Sequence, residues 1–219
     1  MHRRCNGAAS ALRAVFKNQN PLYAFNMATE IELKAHVKDT EAIKRLLYEK
    51  AAFLWEFIKE DSYWYRETGP GIPGPRFRLR REKLVLPDGS EKSSCLLTYK
   101  TKTLRDGIEI NNEREFEIAA KEGSAETVFE EFLGRVGLKP DYSKKKKGWA
   151  FNYKGINAEL CEVEGLGWFM ELEILIEGAG SGEKLYAESR SRLLELLNNL
   201  GIEKKAIESR FYSEMLKGR

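Results

Sequence analysis

The sequence predicts an α+β protein built on a large antiparallel sheet or barrel, with charged strand faces turned inward and helices over an apolar outside. Three observations predict it. Strand-length runs far outnumber helical ones, and no βαβ unit repeats along the chain. Run after run alternates apolar with charged residues, the period-2 pattern of a strand with one covered face. The charges are also segregated by strand, whereas a solvated sheet face mixes signs because like charges side by side repel.

Taken in order, Thr29-Glu-Ile-Glu-Leu-Lys-Ala-His-Val37 alternates apolar residues with Glu30, Glu32 and Lys34 and reads as a strand. Asp39 and Thr40 offer a helix N-cap, followed by Ile43, Leu46, Leu47 and Ala51 at helical spacing. A strand is expected around residues 60–66. The Gly69-Pro-Gly-Ile-Pro-Gly-Pro75 stretch then predicts an irregular loop. Residues 76–81 and 82–86 read as two strands, with Pro87-Asp-Gly-Ser90 as a hairpin turn. Further strands are expected at 94–103 and 112–119, and a helix at 124–136 that Gly137 stops. Strands at 148–153, 156–163 and 169–177 precede an amphipathic helix at 183–200 and a short helix over 211–216.

The strand faces carry the chemistry. Arg76, Arg78 and Arg80 share one face; Thr98, Lys100 and Lys102 share another. Glu113, Glu115 and Glu117 line a third, opposite Phe116 and Ile118, and Glu171 and Glu173 oppose Leu172 and Ile174. Glu159 opposes Ala158 and Leu160. Arginines in line call for an anion between them, and glutamates in line call for a cation. A barrel with these faces inside answers both demands and leaves no sheet edge. Carboxylates without His or Cys suit Mg²⁺ or Mn²⁺. Arg and Lys suit phosphate oxygens. The ligand so implied is compact and highly charged, such as a triphosphate-containing small molecule. A nucleic acid would ask for an extended stripe with stacking aromatics.

Composition narrows the alternatives. The 219 residues are 32% charged and 11% aromatic with a net charge of +3, which suits a globular protein and forces neither a nucleic-acid nor a membrane partner. Cys5, Cys95 and Cys161 lack paired spacing and read as reduced thiols of an intracellular, cytoplasmic protein. With only His2 and His36, a His/Cys zinc site is disfavoured, and His36 lies off the glutamate face of its strand, against a Ser-His-Asp arrangement. No apolar stretch is long enough to span a membrane. Residues 1–27 are basic and free of acids, which fits a transit-like leader, an upstream start or an appended extension, with Met27 as the expected natural start. Glu56, Lys59, Glu60 and Asp61 read as surface residues; Trp55, Tyr63, Trp64 and Tyr65 read as core and rim. The Lys144–Lys147 run reads either as a solvated loop or as a face that brings Lys144 and Lys146 to the ligand.

Together these residues resemble the CYTH superfamily, the triphosphate tunnel metalloenzymes, over residues 28–216. Glu30-x-Glu32-x-Lys34 matches its ExExK signature, joined by Arg78-x-Arg80, Lys100 in a Thr-Tyr-Lys context, and Lys144-x-Lys146-x-x-Trp149, similar to KxRxxY. Gly165-Leu-Gly-Trp-Phe-Met-Glu-Leu-Glu173 resembles GLGxFxEIE, and Ser209-Arg-Phe-Tyr-Ser-Glu-Met-Leu216 resembles the terminal SYxxLL of the CyaB-like branch. The resemblance implies a CYTH domain over 28–219, an eight-stranded antiparallel β-barrel whose tunnel binds a triphosphate and divalent metal. It implies Glu30, Glu32 and Lys34 as catalytic residues and Glu30, Glu32, Glu171 and Glu173 as metal ligands, with Glu115 and Glu117 in the acidic set. Lys34, Arg78, Arg80, Lys100 and Lys146 would hold phosphate oxygens. Arg76, Lys102, Arg114 and Lys144 are secondary candidates; the parity of Arg114 puts it outside. A homodimer is compatible with this branch.

One position departs from the pattern. Leu160-Cys-Glu-Val163 replaces the family's LDxV, so Cys161 stands where a tunnel aspartate would be. A thiol is a poor Mg²⁺ ligand. Glu159, on the same face, is a candidate to supply the missing carboxylate, and a small buried residue is the simpler account of Cys161. The expected chemistry is triphosphate hydrolysis by water attack at a terminal phosphorus. Its alternatives are a class IV adenylate cyclase, with the ribose 3′-oxygen of ATP attacking the α-phosphorus, and a non-catalytic polyphosphate or nucleotide binder.

Overall fold

The computed structural model describes residues 28–119, 124–177 and 182–218. The extension expected over residues 1–27 lies outside them. Eight strands, β1 (Ala28–His36), β2 (Ala52–Gly69), β3 (Ile72–Val85), β4 (Glu91–Arg105), β5 (Ile108–Ile118), β6 (Lys139–Tyr153), β7 (Ile156–Val163) and β8 (Gly167–Glu177), close into a barrel. Their order around it is β1-β5-β4-β3-β2-β6-β7-β8, and every neighbouring pair is antiparallel. Four α-helices, α1 (Thr40–Lys50), α2 (Ala125–Arg135), α3 (Glu183–Asn199) and α4 (Tyr212–Lys217), lie among the described residues.

The barrel is inverted relative to a soluble barrel with an apolar filling. The outward side chains of β1 and β6 to β8 include Ile31, Leu33, Phe151, Ala158, Leu160, Met170 and Leu172, all buried. Helices α1 and α3 cover them with Leu47, Leu193, Leu196 and Leu197. Helix α1 starts where the Asp39 carboxylate accepts from the Ala42 amide at 3.0 Å. Helix α3 gives way at Leu200 to Gly201, whose φ of 74° is the left-handed conformation that terminates a helix at little cost to glycine. Gly148 has a different reason to be glycine. A Cβ there would stand 2.1 Å from the Leu160 carbonyl oxygen, so β6 and β7 can approach only without one.

The strands run longer than the sequence pattern suggests. The run at 76–86, read as two strands, is one continuous β3, and β2 begins at residue 52 rather than 60. The Gly/Pro-rich loop contracts to a turn at residues 70–71. Strand β3 resumes at Ile72, and its pairing with β2 shifts register between Tyr65 and Gly69. Prolines are tolerated there because irregular pairing at a barrel mouth asks for few ladder donors. The lysine run is no solvated loop but part of β6.

Candidate functional site: a charged tunnel

The inward faces enclose a cavity of about 460 Å³. A smaller one of about 180 Å³ shares Glu159 and Glu173 with it. Of the residues expected here, Glu30, Glu32, Arg78, Arg80, Lys100, Lys146, Glu171, Glu173 and Glu115 line the larger cavity, as do Arg76, Lys102, Lys144 and Glu159. Period-2 geometry on each strand brings them together.

One side of the cavity is rich in carboxylates. Strand β1 contributes Glu30 and Glu32, β5 contributes Glu113, and β8 places Glu173 directly across from Glu32. Lys100 of β4 reaches into this group, with its ammonium on Glu30, 3.0 Å from Glu113 and 3.9 Å from Glu32. Burial pushes the Glu30 carboxyl up to about 7, with Glu113 adding repulsion against the pull of Lys100. Burial and then the Glu30 charge push Glu173 well above the usual range. Glu113 lies well below it, because Lys100 and Arg78 outweigh the cost of burial. Among the described residues no three side chains converge as metal ligands; a lysine ammonium is the cation these acids share.

The other side is ion-paired throughout. Arg80 holds Asp61 through two bonds of 2.6 and 3.0 Å, and Lys144 lies 3.2 Å from the same carboxylate. Lys146 bridges Glu159 at 2.8 Å and Glu171 at 2.5 Å, and Lys59 also pairs with Glu159. Arg78 contacts Glu113 at 2.9 Å, Glu115 at 3.3 Å and the Thr98 hydroxyl at 3.0 Å. Burial alone would raise Glu159 and Glu171, but Lys146, with Lys59 on Glu159 and Lys144 on Glu171, brings both down to about 2. The Tyr212 hydroxyl of α4 donates to Glu171 at 2.7 Å, and the Cys161 thiol lies 3.8 Å from the same oxygen.

Several expectations are corrected. Lys59 and Asp61 are not surface residues; they are 7% and 3% exposed and point inward from β2. Tyr63 likewise lines the cavity, stacked on Tyr142 with ring centres 4.2 Å apart. Lys34 is buried off the cavity wall, 2.5 Å from Glu109 and within 6 Å of the Phe211 and Tyr212 rings. Glu117 shares the acidic face of β5 by parity, yet it is exposed near the end of the strand and does not line the cavity. Arg114 is exposed on the outer face, where its parity puts it. Cys161 is fully buried, packed with Phe57, Val163 and Phe169. Glu159 is paired with two lysines, Lys59 and Lys146, on the ion-paired side.

No family model matches the chain. It is 27% identical over 190 residues, 85% of its length and 97% of the relative's, to a Methanocaldococcus jannaschii protein named as a putative adenylate cyclase. A solved Pyrococcus horikoshii structure is 27% identical, covers 87% of this chain and 99% of its own, and superposes with a TM-score of 0.69. These similarities, together with the closed eight-stranded antiparallel barrel, support a CYTH-like superfamily for the chain. A Hippeastrum protein shares the CYTH-like fold at 15% identity, covering 88% of this chain and 97% of its own with a TM-score of 0.57. Its structure is described as that of a putative adenylyl cyclase with a dominant triphosphatase activity.

Proposed function

We propose that the chain is a divalent-metal-dependent phosphohydrolase that cleaves a triphosphate held in its barrel, whether tripolyphosphate, thiamine triphosphate or a nucleoside triphosphate. The observation that carries this reading is the juxtaposition inside one cavity of an under-neutralised carboxylate group and a set of buried Arg and Lys side chains. Polyphosphate with its counter-cation is the ligand whose charges complement both.

The donor set fits a hard divalent ion, because Glu30, Glu32, Glu113 and Glu173 offer only oxygen, and the raised Glu30 and Glu173 carboxyls hold protons that a cation would displace. When bound there, Mg²⁺ or Mn²⁺ would neutralise phosphate charge and acidify a water. The protein's own part is positioning. Arg78, Arg80, Lys144 and Lys146 hold the phosphate oxygens in a buried setting where each charge-assisted bond is stronger than in water. Asp61, Glu159 and Glu171 keep those cations in place before the ligand arrives. Lys34, expected as catalytic, acts in this reading only after leaving Glu109. We assign the domain to residues 28–219 and place the protein in the cytoplasm, with a small-molecule substrate and no nucleic-acid partner. No helix among the described residues is long and apolar enough to cross a membrane.

Adenylate cyclisation is the second reading, favoured by the name of the Methanocaldococcus jannaschii relative. The test is a parallel incubation with tripolyphosphate and with ATP, each with Mg²⁺ or Mn²⁺, with orthophosphate, pyrophosphate and cyclic AMP quantified. Orthophosphate without cyclic AMP is expected. Equal amounts of cyclic AMP and pyrophosphate from ATP would replace hydrolysis with cyclisation, and no product in any tube would leave a binding protein.

A further inference from the structure

Asn111 sits on the inward face of β5 between Glu109 and Glu113, opposite Glu30 of β1 and Lys102 of β4. It is 0% exposed. Its Nδ2 donates to Glu32 Oε2 at 3.1 Å. A carboxylate oxygen can only accept, so this bond fixes which way round the amide lies. The consequence is that Oδ1 is buried with no hydrogen-bond partner. Buried carbonyl oxygens are almost always paired, and one without a partner beside a group of acids lacks a donor or a cation.

We propose that Asn111 is a further residue of the cation site, in which its amide NH2 orients Glu32 and its Oδ1 coordinates the divalent cation or accepts a hydrogen bond from a water that the cation carries. This rests on the metal-dependent reading above. Its chemistry suits the role: a neutral, hard oxygen adds a ligand without adding repulsion to four crowded carboxylates. An aspartate would worsen that crowding, and an aliphatic residue would leave Glu32 without its donor. Orienting groups of this kind alter metal affinity by ten-fold or more when removed.

The test is equilibrium dialysis of Mn²⁺ against the metal-free full chain without triphosphate, for wild type, Asn111→Ala and Asn111→Asp, with thermal melting of each. Asn111→Ala, which loses both the donor to Glu32 and the oxygen, is expected to weaken Mn²⁺ binding about ten-fold or more, while Asn111→Asp, which loses only the donor and keeps an oxygen at this place, is expected to lose clearly less than Asn111→Ala. Unchanged affinity in Asn111→Ala overturns the proposal, because a structural water then satisfies Oδ1. An equal loss in both variants also overturns it, because the residue then acts only through Glu32. If Asn111→Ala does not fold, Asn111→Asp against wild type decides, and lost Mn²⁺ binding there is the contrary result. Absence of Mn²⁺ binding by wild type defeats the metal-dependent reading and this inference with it. Wild-type binding with indifferent variants defeats the inference alone.

Discussion

Glu30 and Glu159 are both glutamates on the inner face of one barrel, yet the first is held near 7 and the second near 2. Burial acts on both in the same direction, so it does not explain the difference. The supply of cations does. Glu159 is shared by Lys59 and Lys146, and its neighbours Asp61 and Glu171 have Arg80, Lys144 and Lys146. On the other side Lys100 is shared by Glu30, Glu32 and Glu113, Arg78 reaches only Glu113 of these, and Glu173 forms no ion pair among the described residues. One half of the tunnel is therefore balanced and preorganised, and the other is short of positive charge. The balanced half can exchange its carboxylates for phosphate oxygens, and the unbalanced half can gain only from a cation.

The sharpest way to break this comparison is to unbalance the paired half. Asp61→Asn leaves Arg80 and Lys144 buried without their carboxylate. Breaking such a pair costs about 3–5 kcal/mol. A large fall in melting temperature is expected, together with a raised KM for tripolyphosphate. A loss confined to kcat would show that Asp61 does not hold the phosphate ligands.

Next in size is Lys100→Met, which strips the acidic half of its one ammonium. The metal-free protein is expected to lose about 2 kcal/mol, less than for Asp61 because Glu30 and Glu173 can take up protons. Mn²⁺ should restore most of it in a denaturant titration, and a loss that Mn²⁺ does not touch would contradict a cation site there.

The two halves should also pull metal-free stability in opposite directions with pH. Between about 4.5 and 7 the folded state keeps the Glu30 proton that the unfolded chain releases, so stability falls as pH rises. Glu159 and Glu171, with folded values near 2, contribute stability that is present above about 4.5 and is lost as pH falls toward 2. Stability measured by urea unfolding should peak near pH 5, and saturating Mn²⁺ should move the peak toward neutrality. A metal-free peak at pH 7 or above would contradict the imbalance.

The smallest effect is expected for Cys161→Ala. The thiol fills space and makes one weak contact to Glu171, so about 1 kcal/mol of stability is at stake. The Mn²⁺ requirement should stay unchanged; a shift would give the thiol a role at the metal.

What could be read from the sequence follows the purity of each strand's alternation. Strands β1 and β8 repeat Glu against aliphatic residues, and their inward faces were legible from two or three residues each. Strand β2 was not, because its inward series Phe57, Lys59, Asp61 and Tyr63 mixes apolar, basic, acidic and aromatic types against an equally mixed outer face. Asn111 was missed because neither its neutrality nor its place before Asn112 marks a strand face. Lys34 has the right parity, but the contacts of Glu109, Phe211 and Tyr212 come from segments far away in sequence. Barrel closure was expected from the segregated charges, whereas the strand order that pairs β1 with both β5 and β8 depends on long-range register that no local pattern encodes.

The central claim, a cation in one half and phosphate in the other, is tested most directly by orthophosphate release from tripolyphosphate across a range of Mn²⁺ concentrations. Wild type, Glu173→Gln and Glu159→Gln would be compared, with a chelator control. Glu173→Gln should raise the Mn²⁺ needed for half-maximal rate about ten-fold or more, and Glu159→Gln should change the KM for tripolyphosphate while leaving the Mn²⁺ requirement where it was. Equal shifts in both variants, or undiminished release in the presence of chelator, would contradict the division of the tunnel into two halves.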